Sequence, residues 1–263
     1  MVKRLVPNII TLGNLFCGVV ATRMAAFGRF QEAAAFIVLG IALDFLDGMA
    51  ARALKVESPL GRELDSLADV VTSGVAPGFI LFGLLWEHTT STLIKYIAFL
   101  IPVFAAYRLA KFNLDETQHR SFRGLPTPAN ALFWAGVGVV SEMCVSGLSF
   151  LPSLCAPVVP YEVWDAIFLP SDPASHTMYN VTTLVVLAAV SLAADLLMVS
   201  RLPMFSLKFK SLRWRDNALR YLFLLVCVGL VVLFGYASVP IMVAWYIVLS
   251  ACTARRTLKA DES

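Results

Sequence analysis

Four aspartates between residues 44 and 69 have the types and spacing to do chemistry. The stretch reads Asp44-Phe45-Leu46-Asp47-Gly48-Met49-Ala50-Ala51-Arg52, then an eight-residue gap, then Gly61, Asp65 and Asp69 at steps of four. The surroundings are otherwise rich in apolar residues. A carboxylate at membrane depth is costly and usually marks a functional site. Four of them on one hairpin need a common counter-charge. Carboxylate oxygens favour hard cations such as Mg2+, Mn2+ or Ca2+ over zinc. Four carboxylates contribute about −4, which two divalent ions cancel. Two metals a few ångströms apart suit displacement at phosphorus, where they clamp the attacking and leaving oxygens. One carboxylate could take a proton from an attacking alcohol. Gly48, Gly61 and small Ala51 leave bare helix surface for a ligand to approach. Arg52, Lys55 and Arg62 at the mouth could hold phosphates, arginine through its planar fork.

Such a site needs two helices folded back on each other. At about 100° per residue, Asp44, Asp47, Gly48 and Ala51 fall on roughly one third of a helix surface. Gly61, Asp65 and Asp69 share one face of the next helix. Lys55-Val56-Glu57-Ser58-Pro59 holds the turn, with Ser58 as N-cap and Pro59 at the first helical position. In an antiparallel hairpin closed there, Asp44 lies level with Asp69, Asp47 with Asp65 and Arg52 with Gly61. The carboxylates then converge about 10–15 Å from the turn, at 1.5 Å per residue.

The composition places this hairpin in a membrane. The chain is 59% hydrophobic and 15% charged, against about 25% charged in soluble domains, and its mean hydropathy is +0.76. The expected fold is all-α, a polytopic integral membrane bundle of about eight helices around a cytoplasm-facing cavity. Apolar runs at roughly 8–26, 32–54, 60–85, 92–112, 127–148, 177–199, 217–235 and 238–254 supply the spans. Residues 1–200 form the six-helix catalytic bundle, and 201–263 a basic loop with two further helices. The five cysteines show no pairing pattern, and His88, His119 and His176 are isolated, so neither a disulfide nor a zinc site is expected.

Lysine and arginine set the orientation. With both termini cytoplasmic, all of the 21 Lys and Arg except Arg23, Arg29 and Lys95 fall on the cytoplasmic side. The 149–176 loop carries neither residue, as an exported loop should. The basic, aromatic-interleaved 201–220 segment suits anionic lipid headgroups, and equally a plain topology determinant. Nucleic-acid binding is disfavoured because no soluble module surrounds it.

The pattern D-x2-D-G-x2-A-R-x8-G-x3-D-x3-D, from Asp44 to Asp69, resembles the CDP-alcohol phosphotransferase motif at every defined position. The resemblance implies an integral membrane enzyme that displaces CMP from a CDP-linked substrate with an alcohol, using divalent metals. It implies metal binding by Asp44, Asp47, Asp65 and Asp69, with Asp69 as general base. It implies CDP contacts by Asp47, Gly48, Ala51, Arg52, Gly61 and Asp65. Pro7-Asn8, Thr11, Asn14 and Gly18 near the start, Glu57-Ser58-Pro59, Arg108 to Asn113 and Gly124 to Asn130 are similar to the bacterial phosphatidylserine synthases of this family. That closer likeness implies CDP-diacylglycerol and L-serine as substrates, Mg2+ or Mn2+ as two ions per site, a bacterial inner-membrane location and a homodimer.

Serine is a zwitterion, so its site needs a cation and acceptors. Arg108, Lys111 and Arg123 are the available cations, and Asn113, Thr127 and Asn130 could complete the site. Positive-inside anchoring of the fourth span competes for Arg108 and Lys111. Asp195, in the sixth span near its cytoplasmic end, is expected to pair with a nearby base, with a substrate role as the alternative. Other acceptors within the family, namely glycerol 3-phosphate, an inositol phosphate or choline, remain alternatives. A transporter is the competing class, but neither a repeat nor paired short spans are present to support it.

Overall fold

The computed structural model describes residues 2–56, 58–114, 124–146, 173–200, 202–204 and 214–261. These fold almost wholly into helices: α1 (Val2–Ala26), α2 (Phe30–Leu54), α3 (Pro59–Val70), α4 (Ala76–His88), the short α5 (Thr92–Lys95), α6 (Leu100–Leu114), α7 (Thr127–Ser146), α8 (Pro173–Val199), α9 (Trp214–Phe234) and α10 (Ser238–Asp261). Among the described residues five helical runs are long and apolar enough to cross a membrane: Leu5–Ala26, Phe30–Leu54, Pro59–Trp86, Thr92–Leu114 and Val181–Val199. Two shorter apolar helices, Leu219–Phe234 and Ser238–Thr253, follow. The protein is therefore an integral membrane protein. The loop at 149–172 and most of the basic 201–213 segment lie outside the described residues.

Exposure is inverted relative to a soluble protein. Phe16, Val19, Phe45, Leu67, Val103 and Val228 are exposed, whereas Thr11, Asn14, Asp47, Thr72, Asn130 and Asp195 are buried. Lipid tails are as apolar as leucine, so close backbone approach and polar contacts must hold the helices together. The α1–α2–α4 seam is accordingly built from small residues, Ala21, Ala25, Ala33, Ala34 and Ala76, around Ile37 and Ile80. A Cβ on Gly18 would lie 2.8 Å from the Thr72 amide nitrogen, and one on Gly40 would lie 2.8 Å from Asn14 Oδ1. Only glycine lets α1 and α2 close on the third span there.

The third span is not a plain α-helix. Val71–Val75 is a single π turn, closed by a bond from the Ala76 N–H to the Val71 carbonyl. Pro77 supplies the cause. It has no N–H to offer the Ser73 carbonyl, and its ring crowds that carbonyl, so the ladder widens by one residue. The widened turn follows directly after Asp69 and buries Thr72, Ser73 and Gly74 between α1, α2 and α6.

Candidate active site

The hairpin forms as the spacing predicts. Ser58 caps α3, its Oγ accepting from the Gly61 N–H at 3.1 Å, with Pro59 opening the helix. At the end of α2, Lys55 adopts a left-handed conformation (φ 54°). Its N–H reaches the Arg52 carbonyl at 3.2 Å, and the Val56 N–H reaches Ala51 at 3.0 Å. This is a Schellman closure with lysine where glycine is usual. It stops α2 directly after the arginine and turns the chain back along it.

Asp44 and Asp47 on α2 and Asp65 on α3 each offer an oxygen, and these oxygens lie within 4.8 Å of one another. Asp47 is buried, and Thr11 Oγ1 of α1 donates to its Oδ2. Asp65 Oδ1 is buried without a hydrogen-bond partner. An oxygen-only donor set, carrying about three negative charges and an unsatisfied buried oxygen, fits a hard divalent cation.

Asp69 stands apart from this trio, one helical turn beyond Asp65. Its Oδ1 accepts from Asn14 Nδ2 at 3.3 Å, and it interacts electrostatically with Asp44, Asp47 and Arg108. Asp44 is thus flanked by both α3 carboxylates, sharing the oxygen cluster with Asp65 and acting electrostatically on Asp69. Asn14 is fully buried and is fixed in turn by Thr72, whose hydroxyl lies 2.8 Å from Asn14 Oδ1 and 3.1 Å from the Asn14 carbonyl. Sequence reasoning assigned no role to Thr11 or Asn14. The available signal was their spacing: Asn8, Thr11 and Asn14 recur every three residues along one polar stripe of an apolar helix.

A cavity of about 640 Å³ opens beside the carboxylates. Asn8 and Thr11 of α1, Asp47, Gly48, Ala51 and Arg52 of α2, and Gly61, Arg62 and Asp65 of α3 line it, with Phe112 of α6. A side chain at Gly48 would meet nothing within 4 Å, so the glycine leaves an open helix face there. The Arg52 Nε donates to the Gly48 carbonyl at 2.9 Å, which turns the guanidinium along the cavity wall. Carboxylates and arginines thus line one open volume.

The acceptor candidates separate. Arg108 donates through Nη1 to Thr127 Oγ1 at 3.3 Å and faces Asp69 electrostatically. Asn130, one turn from Thr127, is fully buried. Asn113 donates to Ser66 Oγ on α3 at 2.9 Å, tying α6 to the helix that carries Asp65 and Asp69. Lys111 lies exposed. Arg123 falls outside the described residues. Asp195 corrects an expectation: it is fully buried, but among the described residues no base pairs with it.

The structure is a membrane helix bundle with a carboxylate centre beside an open, arginine-lined cavity. The CDP-alcohol phosphatidyltransferase family model matches residues 4–161, and the chain belongs to that family. It is 38% identical over 145 residues to the CDP-diacylglycerol–serine O-phosphatidyltransferase of Bacillus subtilis, covering 55% of this chain and 75% of the relative. Proteins of the same name from Helicobacter pylori (strain J99) and Methanocaldococcus jannaschii are 36% and 35% identical. Those matches cover 49% and 50% of this chain, and 54% and 59% of the relatives. All of these alignments cover only part of the chain.

Proposed function

We propose that the protein transfers the phosphatidyl group of CDP-diacylglycerol to the hydroxyl of L-serine, giving phosphatidylserine and CMP. The observation that carries this is the meeting of Asp44, Asp47 and Asp65 oxygens beside a cavity lined by Gly48, Arg52, Gly61 and Arg62. The family membership and the shared name of the relatives support CDP-diacylglycerol as donor and serine as acceptor.

Asp44, Asp47, Asp65 and Asp69 would hold two divalent cations, Mg2+ or Mn2+, which neutralise the diphosphate and the charge that builds on it as CMP leaves. The bare backbone at Gly48 and Gly61 admits the nucleotide, and Arg52 and Arg62 hold its phosphates. Asp69 takes the proton from the serine hydroxyl as its oxygen attacks the lipid-linked phosphorus. Asn14 holds Asp69 by one oxygen and leaves the other free for that proton. Arg108, in electrostatic contact with Asp69, receives the serine carboxylate.

The cavity opens on the cytoplasmic face of a bacterial inner membrane, with both termini cytoplasmic, an orientation that the positive-inside bias supports. The eight apolar segments cross the membrane, residues 1–200 forming the catalytic unit and 201–263 an added helix pair. Two such chains associate as a homodimer. The test is product analysis of the purified full-length protein with CDP-diacylglycerol and L-serine, glycerol 3-phosphate, inositol phosphate or choline. Phosphatidylserine as the main product supports the assignment. Turnover with one of the other acceptors but not with serine refutes it.

A further inference from the structure

Polar groups buried without a partner are concentrated around one region of the bundle. Asp195 and Asn130 are fully buried, and both amide atoms of Asn130 lack partners. The Trp134 Nε1 and the Arg108 Nε are likewise unpartnered, and Asp195 has the Ser191 hydroxyl beside it but, among the described residues, no base. Helix spacing and packing bring these groups to neighbouring layers. Ser191, Asp195 and Met198 recur at i, i+4 and i+7 on the buried face of α8, and Met198 and Ala194 pack on Leu125 just before α7. Phe104, one turn before Arg108, packs against the same cluster. Arg108 bonds Thr127, three residues before Asn130. Trp134 packs with Leu184 and Leu187 one layer further along, which leaves Ser191 and Asn130 between.

Native proteins leave few buried polar groups unpaired, because each loses its water without replacement. Unpaired groups of Arg108, Asn130 and Trp134, together with a buried Asp195 that no base among the described residues neutralises, mark a place suited to a polar ligand. The two charged members have opposite signs, and among the described residues no salt bridge joins Arg108 to Asp195. Opposite buried charges that are held apart suit a ligand carrying both signs.

We propose that Asp195, with Asn130 and Ser191, receives the ammonium group of an amino-acid acceptor whose carboxylate rests on Arg108. This rests on the serine assignment above and deepens it. An α-amino acid carries both charges on one carbon, so Arg108 and Asp195 fix its two ends. Arg108 also interacts with Asp69, and the hydroxymethyl group is thereby directed to the base. A polyol phosphate brings only negative charge and would leave Asp195 unpaired and repelled, which is discrimination against the wrong acceptor. Asp195 lies beyond the residues matched by the family model, so this contribution comes from the part of the chain that the motif does not cover.

The test measures initial rates of the purified full-length enzyme with CDP-diacylglycerol in mixed micelles, against L-serine and against glycerate, which replaces the ammonium by a hydroxyl. Asp195→Asn should raise the L-serine KM at least about tenfold, keep the CDP-diacylglycerol KM within about threefold, and shrink the preference for serine over glycerate. Asp195→Glu, which keeps the charge, should recover part of the serine KM. Should Asp195→Asn fail to fold, Ser191→Ala carries the same test with a rise of about threefold in serine KM alone. An unchanged serine KM, or equal rises for both substrates, overturns the assignment of Asp195. Wild-type enzyme that ignores serine and uses another alcohol overturns the serine reading itself, a separate outcome.

Discussion

Asn14 donates through Nδ2 to Asp69 Oδ1 at 3.3 Å, a contact between α1 and the third span across 55 residues of sequence. Asn14 is held by Thr72 from the π turn that follows Asp69. Asp69, the proposed base, is thus oriented by a helix outside the motif, and that helix is locked by the widened turn next to Asp69. Asn14→Leu keeps the approximate volume but removes both bonds. Turnover should fall about 10–100-fold, the range for removing a group that orients a metal-site ligand, while the CDP-diacylglycerol KM changes little. Steady-state kinetics on the purified variant checks this, and near-native turnover would count against it.

Asp44, Asp47 and Asp65 share one oxygen cluster, so no single one is dispensable. Alanine at any of the three should reduce turnover by about two orders of magnitude or more, because the three remaining aspartates no longer balance two divalent cations. Chelation with EDTA should abolish wild-type turnover, and Mg2+ or Mn2+ should restore it. Mn2+ binding followed by electron paramagnetic resonance should weaken in each variant. Full activity after thorough chelation is the contrary result.

Asp69→Asn keeps the shape of the side chain and its contact with Asn14 but removes the proton acceptor. Its kcat should drop by about 10²–10⁴-fold, the usual contribution of a general base. Affinity for CDP-diacylglycerol should fall far less. A binding measurement beside the rate separates the two effects, and a loss confined to binding would move the base elsewhere.

Gly40 faces Asn14 and Thr72 at the helix junction, whereas Gly229 meets nothing within 4 Å. Gly40→Val should destabilise the fold by about 1–3 kcal/mol through overpacking and displace Asn14, lowering turnover as well. Gly229→Ala should leave both unchanged. Thermal unfolding in detergent, read beside activity, makes the comparison.

The hairpin was legible because each of its signals is local. Ser58 and Pro59 announce the start of α3, the four-residue steps put Asp65 and Asp69 on one face, and the aspartates stand out against apolar neighbours. The surroundings of Asp69 were less legible. Ideal helices level Asp44 with Asp69, and the two do interact electrostatically, but Asp69 also accepts from Asn14 of α1 while Asp65 meets both Asp44 and Asp47. Side-chain reach and a third helix decide that, and neither is encoded in spacing within the hairpin. The π turn follows from Pro77, yet a proline early in a helix is also compatible with an ordinary start. Asp195 invited a search for a basic partner because a buried charge costs so much alone. That no base among the described residues pairs with it is a tertiary fact that α8 by itself does not contain.

The central claim is that the aspartate centre joins serine to the lipid phosphate with release of CMP. Its most direct test is the stoichiometry of radiolabelled L-serine incorporation and CMP release by the purified full-length protein with CDP-diacylglycerol. The account predicts one CMP per phosphatidylserine, dependent on Mg2+ or Mn2+, with neither product formed by the Asp65→Ala variant. CMP released equally fast without serine, or labelled phosphatidylserine still formed by that variant, would contradict it.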